Sequence, residues 1–469
     1  MQIAAAAAAV DHRQRGPAVH VAELEELCPR AKPRNRQHLP DGFDVPAGDS
    51  AQTRSRHAAL NCPALNSVIE CESMTALRLH TPRLINLRPT GWICFLGSIR
   101  RLAPRLLLLI AATWLRAQLP TVSPGSPKRL VAYYLYQDQT RVPAYTASSI
   151  PYKKLTHLIH VALIVDPAGD GSIQISPRAL EAKLIPKAHA AKVRVLVCVQ
   201  GSAAAFSKTA SRPETRSRFA QNLKDFVTKY DYDGVDIDWE VPQGQLDVAN
   251  NALMMRALRD TLPAPRYLLS MATPSEPGHW GEFDFAHLTP ILDFYNVMTY
   301  DFHGPWTSHT GHNSPLFSND TDPGHDGSID DSIALYLNKL AVPAEKINLG
   351  TAFYGYEFSA SPLHAACNCE KTTASHDYAY IKARIGTDGW TPALDPVAMA
   401  PYLIRQTPTA GFITYDDPSS TARKVAYALE VRNLGGVFMW ELSGDYDGKK
   451  QELLDSMYTT FRRVEGHKR

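Results

Sequence analysis

The stretch Tyr232-Asp233-Gly234-Val235-Asp236-Ile237-Asp238-Trp239-Glu240 decides how this chain is read. Strand side chains alternate between faces, so Asp236, Asp238 and Glu240 share one face and Val235, Ile237 and Trp239 the other. Three carboxylates along one face of a buried strand repel one another and resist desolvation. A solvated acidic edge is a poor alternative, because the opposite face is strongly apolar. Clusters of perturbed carboxylates mark functional sites, and this one is read as such.

Working outward, short β-rich runs recur from Lys128 onward, separated by helical segments. The expected strands are 130–136, 157–165, 193–199, 234–239, 267–272, 294–299, 347–353 and 436–440. The expected helices are 178–191, 216–229, 248–261, 330–340, 422–433 and 451–461. Eight strands alternating with helices make the pattern of a closed (β/α)8 TIM barrel, an α/β fold. An open doubly wound sheet would need a glycine-rich phosphate loop after its first strand. Tyr134-Leu135-Tyr136-Gln137-Asp138 is nothing like one.

Composition narrows the partners. Of 469 residues, 44% are hydrophobic and 20% charged, as in a soluble globular protein, and the net charge of +2 argues against nucleic acid and anionic surfaces. The seven cysteines show neither metal-ligand spacing nor a disulfide framework.

Residues 1–118 have a different texture, with an alanine run at Ala4–Ala9 followed by Arg-, Pro- and Ala-rich sequence. They are read as a disordered or poorly structured N-terminal extension. Within it, at about 100–117, Arg100, Arg101 and Arg105 precede the apolar run Leu106–Leu115 and the small residue Ala117. That is a secretory signal pattern, too short to span a bilayer, and it implies a secreted protein without stable membrane insertion. Its internal position suggests that translation starts downstream, for example at Met74. Residues 119–128 read as a linker and 129–465 as the catalytic barrel.

In such barrels the active site lies at the C-terminal ends of the strands. Glu240 ends the fourth strand and belongs at the rim, with Asp238 about 6.6 Å lower and Asp236 about as far again. The lower acids disfavour ionisation of Glu240. A carboxyl kept protonated near neutral pH is a general acid, which glycosidic cleavage requires at the leaving oxygen.

Asp233 to Glu240 resembles the signature of glycoside hydrolase family 18, the chitinases and their relatives. Met298-Thr299-Tyr300-Asp301-Phe302-His303-Gly304-Pro305-Trp306 resembles that family's sixth-strand motif. Lys346–Gly350 with Tyr354-Gly355 resembles its seventh strand, and Gly435–Glu441 its eighth. Tyr415-Asp416-Asp417 resembles the segment before its last-but-one helix. The resemblance implies substrate-assisted, retaining hydrolysis of β-1,4-linked N-acetylglucosamine polymers such as chitin, with no cofactor. It implies Glu240 as acid, Asp238 as partner of the acetamido N–H, Asp236 as proton partner beneath, and Tyr300 as donor to the acetamido oxygen. Asp301 and Met298 would contact the sugar, Trp440 would form an apolar floor and Trp306 a wall, and Tyr133 would bond Asp236 from below. The expected partner is a polysaccharide, bound by a monomer.

The departures surround the acids. The family's third strand usually ends Ser-x-Gly-Gly, where this chain has Cys198-Val199-Gln200-Gly201. Cys198 then offers Asp236 a thiol in place of a hydroxyl, a weaker donor. Val241 replaces a frequent Tyr, Tyr356 a frequent Arg, and His160 an aromatic. Between Glu357 and Asp377, where many relatives insert a small α+β domain, there is room only for a loop, so a shallow open cleft and endo action are expected.

Two weaker signals remain. His309 and His312 with Asp320, Asp322 and His325 have loose, loop-borne spacing and read as polar loop, so no metal is assigned. Cys367-Asn368-Cys369 reads as incidental. The rival functions are an endo-β-N-acetylglucosaminidase on glycoprotein or peptidoglycan and a non-catalytic, lectin-like barrel. The carboxyl at Glu240 argues against the lectin.

Overall fold

A computed structural model of the protein describes residues 127–278 and 281–467. The N-terminal extension, its signal-like segment and nearly all of the linker lie outside the described residues. The strands are β1 (Arg129–Leu135), β2 (His157–Val165), β3 (Ile173–Ile175), β4 (Arg194–Gln200), β5 (Gly234–Ile237), β6 (Leu268–Pro274), β7 (Phe294–Met298), β8 (Ile347–Ala352), β9 (Tyr354–Phe358), β10 (Thr373–Asp377), β11 (Thr391–Asp395), β12 (Ala400–Arg405), β13 (Gly411–Thr414) and β14 (Gly436–Trp440).

Eight of them form a closed parallel barrel in the order β1-β2-β4-β5-β6-β7-β8-β14, with β14 returning to β1. These are the eight strands expected from the sequence, displaced by no more than two residues at either end. Strand β3, not foreseen, lies antiparallel on β2.

The main outer helices are α1 (Leu184–Ala190), α2 (Ala203–Ala210), α3 (Pro213–Tyr230), α4 (Gly244–Thr261), α5 (Phe285–Leu288), α6 (Ile329–Ala334), α7 (Pro418–Ala426) and α8 (Glu452–His467). Their ends follow local chemistry. Ser202 caps α2 by accepting from the Ala205 N–H. Helix α3 starts with Pro213 and stops at Asp231, whose φ of 61° is left-handed. Asp417 and Ser420 form a reciprocal capping box on α7. Helix α1 is shorter than the expected 178–191, because Pro186 is tolerated only in a first turn. Helices α6 and α7 each continue into a π-helical turn, Leu335–Lys339 and Tyr427–Val431.

The expected alternation along β5 sorts residues between two cores. Val235, Ile237 and Trp239 are fully buried in the layer between strands and helices. There the Trp239 ring stacks on Phe206 of α2 at 5.3 Å. Gly234 opens the strand because any Cβ there would strike the Leu268 backbone carbonyl on β6. Asp233, the first acid of the stretch, faces the bottom of the barrel. It accepts from the Val195 N–H at 2.8 Å and pairs with His189 at 2.9 Å, a structural role.

The expectation of a mere loop between barrel strands seven and eight is overturned. Strands β9 to β13 form a five-stranded antiparallel sheet in the order β10-β9-β13-β12-β11. It runs from Tyr354 to Thr414, well past the segment weighed in the sequence. The premise for a shallow cleft therefore falls. Cys367 and Cys369, read as incidental, are joined as a disulfide in the β9–β10 connection.

Candidate active site

The acidic face of β5 points into the barrel. Asp236 is fully buried, Asp238 3% exposed, and Glu240 partly exposed at the strand's end. The Asp238 N–H bonds the Val199 carbonyl at 3.0 Å, which carries the strand geometry past Ile237 toward Glu240.

Beneath the acids a polar column fills the barrel axis. Arg129 Nε donates to Asn348 Oδ1 at 2.9 Å, and Asn348 Nδ2 to Asn296 Oδ1 at 2.9 Å. Asn296 Nδ2 donates to Tyr133 Oη at 2.9 Å and to Asp236 Oδ1 at 3.3 Å. Asp236 also receives Ser270 Oγ at 2.5 Å and Tyr133 Oη at 2.9 Å. Burial still pushes Asp236 up to about 6, against the hydrogen bonds from Ser270, Tyr133 and Cys198 that favour its charged form.

One level higher, Gln200 Nε2 donates to Asp238 Oδ2 at 2.8 Å. Asp238 Oδ1 is buried with no hydrogen-bond partner among the described residues, and the nearby Glu240 carboxyl interacts with Asp238. Two neighbouring buried carboxyls disfavour each other's charge, which favours a proton on one of them. Burial and the charge of Asp238 hold the Glu240 carboxyl well above its usual range, which favours its protonated form. Burial also raises Asp238, opposed by the bond from Gln200 and by the interaction with Glu240. Neither Lys nor Arg among the described residues pairs with Glu240.

The aromatic candidates gather around this column. Tyr133, Tyr300 and Trp440 belong to one buried cluster, with Met298 and Trp306 half-buried at its edge. Trp440 lies 5.5 Å from the Tyr133 ring and keeps 8% exposure. Tyr300 packs edge-on against Tyr354 and Phe438. Trp306 sits edge-on to Tyr356 at 5.7 Å, with its indole Nε1 buried and unbonded. Asp301 takes a left-handed φ of 63°, held by a bond from its N–H to Asn313 Oδ1.

The structure adds residues that the sequence reading did not assign. Tyr354 and Tyr356, both from the inserted sheet, donate to Asp301 Oδ1 at 2.5 and 2.8 Å. Burial pushes Asp301 up to about 6 despite these two donors. Tyr356 thus fills with a neutral donor the place where an arginine was expected. Gln200, Ser270 and Asn296 were also missed as partners of the acids. A usable signal existed for Gln200, which lies two residues beyond Cys198 on the same face of β4. His160 serves as an aromatic after all, stacked between Tyr134 and Tyr232 outside the barrel.

The loop candidates His309, His312, Asp320, Asp322 and His325 separate. His312 turns to Asp395 on the inserted sheet at 3.1 Å, and Asp320 and His325 are exposed. His309 and Asp322 meet His303 and Asp326 instead.

Similarity to known proteins extends over the barrel. The chain is 31% identical over 269 residues to Chitinase 1 of Aphanocladium album, covering 54% of this chain and 61% of that one. It is 33% identical over 260 residues to Endochitinase 1 of Metarhizium robertsii, covering 52% and 59%. It therefore spans about three-fifths of the length of the curated relatives named here. A family 18 N-acetylglucosaminidase from Paenibacillus barengoltzii shares the fold with a TM-score of 0.62 and 28% identity, over 71% of this chain and 99% of that one. The Ostrinia furnacalis Group IV chitinase in complex with allosamidin shares it with a TM-score of 0.64 at 24% identity, over 72% and 99%. Residues 129–445 match the family model described as glycosyl hydrolases family 18, and the chain belongs to that family.

Proposed function

We propose that this protein hydrolyses β-1,4-linked N-acetylglucosamine polymers, chitin foremost, by substrate-assisted retaining catalysis. The observation that carries the reading is the stacked acids Asp236, Asp238 and Glu240 inside the barrel, with Asp238 Oδ1 buried and unbonded and no Lys or Arg paired with Glu240 among the described residues.

In the first step the substrate's acetamido carbonyl oxygen attacks its own anomeric carbon. The C1–O bond to the leaving sugar breaks, and Glu240 gives its proton to that oxygen. The acetamido nitrogen gains positive charge in the oxazolinium ring, and its N–H faces Asp238, which the Gln200 bond helps keep anionic. Tyr300, whose hydroxyl has no protein partner among the described residues, is the donor for the acetamido oxygen. Water then opens the ring with Glu240 as base. Trp440 offers an apolar floor to the sugar's C–H face, while Met298, Asp301 and Trp306 line the approach. Tyr133 and Asp236 supply the hydrogen-bonded support below.

Endo action now rests on the names of relatives such as Endochitinase 1, since the inserted sheet removes the bare loop from which an open cleft was expected. The similarity to an N-acetylglucosaminidase at 28% identity favours a second reading, release of N-acetylglucosamine units from glycoconjugates. The chemistry is the same, so substrates must separate the two. Wild type and Glu240→Gln are assayed on chitin oligomers, glycoprotein and peptidoglycan. Glu240-dependent cleavage of chitin oligomers supports the leading reading. Cleavage of glycoprotein or peptidoglycan alone supports the second, and wild-type binding without any cleavage overturns both.

Secretion rests on the segment at about 100–117. No helix of the described residues is long and apolar enough to cross a membrane. An exported form retaining the first hundred residues would refute processing at that segment.

A further inference from the structure

The loop joining β7 to α6 gathers a second cluster of ligating side chains, which the reaction above does not use. His303 and His309 aim their Nε2 atoms at each other, 3.1 Å apart. Asp322 Oδ1 lies 2.7 Å from His309 Nε2 and 3.4 Å from His303 Nε2. Asp326 Oδ2 lies 3.1 Å from His303 Nε2 and 3.6 Å from His309 Nε2. One ligand atom from each residue falls within 4.8 Å of every other.

We propose that His303, His309, Asp322 and Asp326 form a tetrahedral binding site for a divalent transition-metal ion, Zn2+ by its ligand set. Zinc–nitrogen and zinc–oxygen bonds of about 2.0–2.1 Å place the corners of a regular tetrahedron about 3.3 Å apart. The five corner-to-corner distances given above scatter around that length. Two imidazoles and two carboxylates suit zinc better than calcium or magnesium, which prefer oxygen alone.

The surroundings favour a ligand geometry over a chance polar contact. His303 Nδ1 lies 3.1 Å from the His312 backbone carbonyl, which requires a proton on Nδ1. In the neutral ring the Nε2 lone pair then points to the centre of the cluster. A backbone carbonyl that fixes a metal ligand's tautomer is a common outer-shell device. Gly311 closes over the His303 ring, where any side chain would collide. His303, His309 and Asp322 are buried, whereas the Asp326 side chain is 30% exposed and gives an ion a way in.

The site is structural. It cross-links two parts of a long loop that also carries Trp306 and, through Asn313, the backbone of Asp301. The metal-free rival is a protonated His303 ion-paired to both aspartates. Untagged full-length protein, stripped with chelator and desalted, is titrated with zinc chloride, with metal content read by elemental analysis and unfolding by calorimetry. One equivalent of zinc is expected to remain after desalting, and the unfolding midpoint to rise by about 5 °C at zinc concentrations about 100-fold above Kd. His309→Gln and the half-exposed Asp326→Asn should each weaken zinc binding at least about tenfold, whereas Glu240→Gln should leave it unchanged. Three results would each overturn the proposal. They are no retained zinc with an unchanged midpoint, wild-type zinc affinity in both ligand variants, and zinc binding lost in Glu240→Gln.

Discussion

Gln200 on β4 donates its side-chain amide to Asp238 Oδ2 at 2.8 Å, and so occupies one oxygen of the middle acid while the other stays buried and unbonded. The strand register explains the meeting. Val199 pairs with Ile237, so the next residues along the two strands, Gln200 and Asp238, come side by side inside the barrel. A donor to the charged form lowers a carboxyl's pKa, and here it works against burial. Gln200 is therefore a positioning residue for the acid that faces the acetamido group.

Gln200→Ala should shift the acidic limb of the pH–kcat/KM profile to higher pH. The sign follows from the lost donor: Asp238 becomes easier to protonate, so activity disappears sooner as pH falls. An unmoved acidic limb in the variant would remove Gln200 from the mechanism.

Glu240→Gln should cut kcat by about 10²- to 10⁴-fold, the usual contribution of a general acid. The wild-type alkaline limb should report Glu240. Burial and the charge of Asp238 raise the pKa of Glu240, so the acid form persists to higher pH and activity is lost as pH rises through that value. Asp238→Ala should also inactivate without unfolding. Circular dichroism with kinetics on chitin oligomers checks all three, and a fully active Asp238→Ala would contradict the assigned role.

Tyr356→Phe removes one of the two hydroxyl donors to Asp301, which burial already holds up at about 6. Asp301 should then protonate more readily, so that KM rises between pH 6 and 7 more than it does at pH 8. A pH-independent change in KM would point to lost packing against Trp306 instead.

Lys424 on α7 forms an ion pair with Asp416 at 2.5 Å, with side chains 1% and 3% exposed, and also bonds Ser314. Lys424→Met strands Asp416 and should cost about 3–5 kcal/mol in urea unfolding. Pairing it with Asp416→Leu should recover much of the loss, because removing both charges leaves no buried ion. Equal losses in the single and double variants would rule out a stranded charge as the cause.

The barrel and the acidic column were legible because both depend on local periodicity. The alternation along 234–240 set Asp236 and Asp238 against Trp239 before any contact was known. The inserted sheet was not legible. Its strands are four to six residues long, and Pro392 and Pro401 interrupt two of them. The sheet exists because distant segments pair, which no short window of sequence displays. The tyrosine donors to Asp301 arrive on that sheet and were missed for the same reason. Cys367 and Cys369, which read as incidental in a segment read as a loop, join in the connection between two of those strands.

From sequence alone came the chemistry that one strand can carry: which acids share a face, which of them reaches the rim, and why charge on the top one is disfavoured. Tertiary structure alone decided which partners meet those acids. Gln200 and Ser270 reach them by register across neighbouring strands, and Tyr356 reaches Asp301 by way of an insertion. It also decided that His303 and His309 face Asp322 and Asp326, while His312 turns to Asp395. The physical reason is range: side-chain alternation is settled within a few residues, whereas these hydrogen bonds are settled by chain packing across 34 to 55.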